Sequence, residues 1–421
     1  MRARWIIAAI VLLPLLAATG YGIAAQYPLI DKLKNPPLRS AFSRKLIADG
    51  ARLAAIGGCH LCHTAPDGAD FAGNRPIPTP FGTIYSTNIT PAPGSGIGQW
   101  SEAAFARAMR AGISRTGRHL FPAFPYPHFA RLSDADLHAL YAFLMTRRPV
   151  ETTQLPNRLL FPLNQRWLMT FWNILFFHPA SSRRDPRHDA EWNRGAYLVA
   201  GLGHCGDCHT PRNLFGAEES GRKFAGGRGE GWTGPALPAA PTPWSTAQLF
   251  HYLRHGWDKT HGAAAGPMQA VAAGLGQADP ADVRAIAAYL SSREPRTALP
   301  RGHPGNAEPA AGNRLGAALF AGACARCHAG GAPMLPPHGI DLRLSTAIAA
   351  ADPRDAILTV LGGIRQPDGR AGPYMPGFAD SFSDRQMAAL LSFVRARYGG
   401  GPAWRGLASR VRALRQGRGQ S

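Results

Sequence analysis

Apolar and polar positions alternate in blocks along this chain, and the block order recurs three times. Each recurrence opens with apolar residues at helical spacing: "RKLIADGARLAAIGG" (44–58), "DAEWNRGAYLVAGLG" (189–203) and "RLGAALFAGA" (314–323). A long stretch rich in glycine and proline follows, and then a second helical segment with its own start signal. Ser133 and Asp136 in "SDADLHALYAFL" form a capping box, and Ser383 and Gln386 in "SDRQMAALLSFV" repeat it. Asp279, Pro280 and Asp282 in "DPADVRAIAAYL" supply an N-cap, a proline at N1 and an acid at N3. Leu137, Leu140, Tyr141 and Leu144 then fall on one helical face. The pattern predicts an all-α chain of three small tandem domains, at 43–147, 188–295 and 308–399.

The N-terminus has a different pattern. Arg2 and Arg4 precede an uncharged run from Trp5 to Ala25. A basic start followed by an apolar run is an export signal, with small residues at Gly22, Ala24 and Ala25 offering a cleavage site. The run is also long enough to span a bilayer. Residues 1–25 are therefore a signal peptide or a membrane anchor, and either places the rest of the chain outside the cytoplasm.

Composition adds two points. The 421 residues contain 48 glycines and 37 prolines, which suits several loop-rich domains better than one large core. The net charge of +20 raises the question of nucleic acid. The positive charge is mostly arginine spread along the chain rather than gathered into a patch, so no nucleic-acid partner is expected.

The cysteines decide the chemistry. All six fall in C-x-x-C-H elements: Cys59 and Cys62 in "CHLCH", Cys205 and Cys208 in "CGDCH", Cys324 and Cys327 in "CARCH". Two thiols three positions apart reach the two vinyl groups of one haem, and the adjacent histidine ligates the iron. His63, His209 and His328 are then the proximal ligands of three covalently bound haems c. Zinc is a poorer fit, because three pairs and their histidines do not divide into four-ligand sites. Disulfides would not require a histidine after each pair. A domain of roughly 100 residues is marginal on side chains alone, so a large covalent cofactor fits these lengths.

Helix, haem motif, loop, helix is the order of a small cytochrome c domain. The chain resembles the tri-haem cytochrome c subunits of bacterial membrane-bound dehydrogenases. That group includes the subunits of alcohol and gluconate dehydrogenases, and those partnered with molybdenum hydroxylases acting on aldehydes or N-heterocycles. The resemblance rests on "TPFGTIYSTNITP" (79–91), "LPNRLLFPLNQRWLMTFWNILFF" (155–177), "WNRGAYLVAGLGHCGDCHTPRN" (192–213), "EGW" (230–232) and "AAGPM" (264–268). It implies an electron-transfer subunit on the periplasmic side of the inner membrane. Electrons would come from a catalytic dehydrogenase subunit and leave to ubiquinone or a terminal oxidase.

Distal ligands are expected from loops well after each motif, and thioether sulfur raises the potential. Met268 and Met375 hold that place in the second and third repeats, whereas Met334 and Met387 read as packing. In the first repeat "HLFPAFPYPHF" (119–129) has Phe124 where the resemblance implies methionine. His128, in the same loop, is the preferred substitute. Met109 or an open iron are the alternatives, while His119 and Met145 lie nearby.

Two segments lie outside the repeats. The aromatic stretch within 148–187 reads as an interdomain strap or as a surface for a partner subunit or the membrane; its charges make it a poor spanning helix. The basic tail 400–421 reads as an amphipathic helix on an anionic membrane or as a solvated end. No Ser-His-Asp set, nucleotide fingerprint or further catalytic metal site is evident. Rival functions are a multi-haem peroxidase using an open first haem and a subunit of a terminal oxidase.

Overall fold

Glycine sets the closest helix crossings in this protein. The structure, a computed structural model, describes residues 20, 27–179, 183–237, 243–293, 313–329, 341–365 and 372–418. The expected leader, apart from Gly20, and Met334 lie outside these residues.

The chain packs as two compact units. The first is built mainly from residues up to Arg184 and also takes in 200–204 and 214–217. It contains α1 (Arg44–Ile56), α2 (Cys59–His63), β1 (Pro76–Thr79), β2 (Gly82–Tyr85), α3 (Glu102–Ala111), α4 (Tyr126–Phe129), α5 (Asp134–Met145), β3 (Arg158–Leu159) and α6 (Leu168–Phe176). The second unit begins with α7 (Ala190–Ala200), α8 (Gly206–His209), β4 (Gly227–Gly229), β5 (Trp232–Gly234) and α9 (Thr246–His255). It continues through β6 (Trp257–Asp258), β7 (Gly262–Ala263), α10 (Pro267–Gln277) and α11 (Pro280–Ser291). Its last helices are α12 (Arg314–Ala323), α13 (Ala325–His328), α14 (Thr346–Ala349), α15 (Arg354–Gly362), α16 (Asp384–Tyr398) and α17 (Leu407–Arg418).

The expectation of an all-α fold is corrected. Among the described residues, three small antiparallel sheets accompany the helices, which make up less than half of the chain. One sheet has the order β1-β2-β3, and the others are the β4–β5 and β6–β7 pairs. These strands are two to four residues long, and several consist largely of glycine and proline. Such composition carries little strand propensity, so the pairing comes from tertiary context. Three tandem domains are not resolved either; the second unit holds two of the three cysteine motifs.

The helix starts follow the expected chemistry. The Ser133 hydroxyl accepts from the Asp136 amide at 3.1 Å, and Ser383 and Gln386 close a full capping box. Ser245 and Gln248 form another at the start of α9. Opening and closing helices of each repeat then meet at glycine. A Cβ on Gly50 would lie 1.9 Å from the Ala139 carbonyl oxygen, and one on Gly195 would lie 1.9 Å from that of Ala285. On Gly316 it would lie 2.3 Å from that of Ala389. Only a residue without a side chain permits this approach.

The strap binds the first repeat: β3 extends the β1–β2 hairpin, Thr170 bonds His119 Nε2 at 3.1 Å, and Arg166 donates to the His119 carbonyl at 2.7 Å. Leu160, Phe161, Ile174 and Leu175 stay exposed. The basic tail is neither a solvated end nor a free amphipathic face. Leu407 and Val411 of α17 are buried in a core with Ile357, Leu361, Met387 and Leu391. Arg412 and Arg415 pair with Asp384. No helix among the described residues is long and apolar enough to cross a membrane.

Candidate haem sites and related proteins

Each C-x-x-C-H element coils into a single helical turn, which brings its two thiols and its histidine to one place. In the first repeat Gly58, at φ 59°, turns the chain out of α1 and into α2. His63 Nδ1 then lies 2.6 Å from the Thr87 carbonyl oxygen. A carbonyl cannot donate, so Nδ1 carries the proton and the lone pair is on Nε2. His209 repeats the arrangement, with Nδ1 2.7 Å from the Pro235 carbonyl oxygen. Burial lowers the pKa of both imidazoles below the ordinary value, so both are neutral, the form that ligates a metal.

The second turn is pressed against the β4–β5 hairpin. A Cβ on Gly229 would come within 2.3 Å of Cys208 Sγ, and one on Gly234 within 2.2 Å of the Cys208 carbonyl oxygen. Glycine on both strands therefore lets the hairpin lie directly over the motif. The third turn has the same local form, on α13, and its following loop falls outside the described residues.

None of the six cysteines forms a disulfide. Burial pushes the Cys59 and Cys205 thiols up to about 12 and that of Cys324 to about 11. A thioether has no proton to lose and tolerates such dry positions, whereas thiolate ligation requires ionised sulfur. Paired cysteines and, in the first two motifs, a neutral histidine with a fixed tautomer thus fit covalent haem c.

The candidate distal residues share a register. Helices α3, α9 and α15 each end at a glycine with positive φ: Gly112 at 65°, Gly256 at 75° and Gly363 at 73°. Twelve positions beyond each cap stand Phe124, Met268 and Met375. Met268 opens α10, and Met375 pairs through both backbone groups with Ile364, at 2.9 Å each. Both methionines are partly buried. Phe124 packs edge-on against Phe129, with ring centroids 5.4 Å apart.

His128 is buried on α4, with Nδ1 2.9 Å from the Ala200 carbonyl oxygen and its ring 6.4 Å from that of His204. Met109 is buried on α3, and Met145 and Met387 are buried in helices. Sequence reasoning missed the carbonyls of Thr87 and Pro235, which orient the proximal histidines. A backbone carbonyl has no side-chain signature, although the quoted "TPFGTIYSTNITP" and "EGW" stretches lie in or beside the segments that supply them.

Comparison with known proteins agrees. Residues 47–148 match the family described as Cytochrome c, and residues 311–394 match Cytochrome C oxidase, cbb3-type, subunit III. The molecule is therefore a c-type cytochrome that binds haem c covalently. A nicotinate dehydrogenase subunit of Pseudomonas putida is 47% identical over 90% of this chain and 33% of its own length. The cytochrome c subunit of alcohol dehydrogenase (quinone) of Gluconacetobacter polyoxogenes is 35% identical over 84% of this chain and 81% of its own. The fructose dehydrogenase cytochrome subunit of Gluconobacter japonicus is 34% identical over 87% and 82%. This chain belongs to the family of dehydrogenase cytochrome c subunits, whose work is electron transfer. It spans about a third of the length of the nicotinate relative and about four-fifths of the other two.

Proposed function

We propose that this subunit carries three haems c, one in each of the segments 43–147, 188–295 and 308–399. It takes electrons from a catalytic dehydrogenase subunit and passes them to ubiquinone or a terminal oxidase, on the periplasmic side of the bacterial inner membrane. Cys59 and Cys62, Cys205 and Cys208, and Cys324 and Cys327 are the thioether donors, and His63, His209 and His328 the proximal ligands. Bound haem supplies the one-electron chemistry; the protein orients it and sets its potential through ligand identity and burial. Met268 and Met375 are the distal ligands of the second and third sites. His128 serves the first, as the imidazole of the same loop that follows Phe124.

The catalytic partner oxidises an N-heterocyclic acid of the nicotinate type. This rests on the 47% identity to the nicotinate dehydrogenase relative, against 35% and 34% to the alcohol and fructose relatives. The test is to isolate the chain with its partner from native membranes and follow haem reduction on adding nicotinate, ethanol, fructose or gluconate. Reduction by nicotinate supports the reading; reduction by ethanol or a sugar substrate alone overturns it.

A further inference from the structure

Two hairpins in this protein share an edge geometry, and different parts of the chain close the two edges. In the first, β3 does so: Thr83 pairs with Arg158, and the Leu160 amide donates to the Phe81 carbonyl at 3.1 Å. In the second, β4 and β5 form a two-stranded sheet with no third strand among the described residues. Thr233 faces Arg228 across this hairpin as Thr83 faces Pro78 across the other. Its amide donates to both carboxylate oxygens of Asp355, at 3.0 and 3.2 Å. Gly231, the counterpart of Phe81, accepts from the Arg354 guanidinium at 3.3 Å. Two adjacent side chains at the start of α15 thus provide the acceptor and the donor that a strand would provide.

The closed edge leads straight to the second haem motif. Thr233 is followed by Gly234, which lies against the Cys208 carbonyl, and by Pro235, whose carbonyl accepts from His209 Nδ1. Asp352 reinforces this joint: it pairs with Arg228 of β4 at 3.3 Å and with Arg410 at 3.1 Å, and accepts from the Arg354 amide at 3.1 Å.

We propose that Arg354 and Asp355 are positioning residues for His209. By closing the hairpin edge they hold the Pro235 carbonyl against the imidazole, so the third repeat sets the strength of the proximal ligand in the second. This rests on the reading of Cys205, Cys208 and His209 as a haem site. A firm acceptor at Nδ1 makes the imidazole a stronger donor and favours oxidised iron. Loosening the edge therefore raises the potential of that haem.

The test is redox titration and resonance Raman spectroscopy of the full haem-loaded chain. Asp355→Ala should raise one potential and soften one iron–imidazole stretch. Asp355→Asn keeps a carbonyl acceptor for Thr233 and should stay near wild type. Arg412→Ala breaks an ion pair with Asp384 that touches neither the hairpin nor the start of α15, and should leave every potential in place. Unchanged potentials and stretches in Asp355→Ala overturn the proposal, and so does an equal shift in Arg412→Ala. Where Asp355→Ala fails to mature, Thr233→Pro removes the same hydrogen bond from the donor side and is judged by the same outcomes. Peptide mass of the wild-type chain separates the two layers: no haem on the Cys205–Cys208 peptide overturns the site itself, whereas haem present with unmoved potentials overturns only the clamp.

Discussion

Gly50 lies under the Ala139 carbonyl so closely that a methyl group there would be 1.9 Å from the oxygen. Gly195 stands in the same relation to Ala285 and Gly316 to Ala389, and the contacted atom each time is backbone, which cannot rotate away. Alanine is otherwise the better helix former, favoured over glycine by about 1 kcal/mol. Here the steric cost dominates. Gly50→Ala and Gly195→Ala should each destabilise the protein by about 1–3 kcal/mol. Thermal unfolding of the haem-loaded protein reads this directly, and a rise in midpoint would mean that the crossing is not tight.

These glycines show where sequence reading stops. They stand in the helical segments that the periodicity marks out, but their partners lie far along the chain. Local signals were legible: the cysteine spacing, the caps at Ser133, Asp279 and Ser383, and the helical faces. The sheets were not, because runs such as Gly227–Gly229 and Gly262–Ala263 look like loop and become strands only through a partner. The apolar face of the tail was visible at Trp404, Leu407, Val411 and Leu414, but its destination in the protein's own core was not.

Haem stoichiometry is the most direct check on the cofactor reading. With every cysteine committed to a thioether, denatured and reduced protein should retain three haems by mass. A mass corresponding to one or two in fully matured protein would refute the assignment.

Met268 and Met375 share their spacing from Gly256 and Gly363, so each should matter to one haem only. Met268→Ala and Met375→Ala should each abolish one high potential and leave the haem attached, since the thioethers are untouched. A variant whose redox titration matches wild type would reduce that methionine to packing.

Glu151 ties the start of the strap to the first repeat. Its carboxylate accepts from the Ser95 hydroxyl at 2.7 Å and from the Gly94 and Ser95 amides at 2.9 Å each. The Ser95 hydroxyl, then the amides, hold its pKa below the ordinary 4.5. A depressed carboxylate stabilises the fold above its unfolded pKa, and that contribution disappears as pH falls through the folded value. Glu151→Gln should therefore be less stable than wild type at neutral pH, and the difference should close in acid below 4.5. A gap independent of pH would show that the charge is not what matters.

Phe124 occupies the register that holds methionine in the other two repeats, and an aromatic ring cannot ligate iron. His128 follows one turn later on α4, where Pro125 and Pro127 restrict the backbone. Its Nδ1 donates to the Ala200 carbonyl at 2.9 Å, which fixes the tautomer and the orientation of the ring. A first haem held between His63 and His128 would have a lower potential than its methionine-ligated neighbours. It should also show bis-histidine spectra. His128→Ala should open that iron to carbon monoxide and leave three haems attached. Phe124→Met should introduce a competing thioether and raise the potential. A His128→Ala protein with wild-type spectra and no carbon monoxide binding would exclude His128. The buried thioether of Met109 would then be the side chain to replace next.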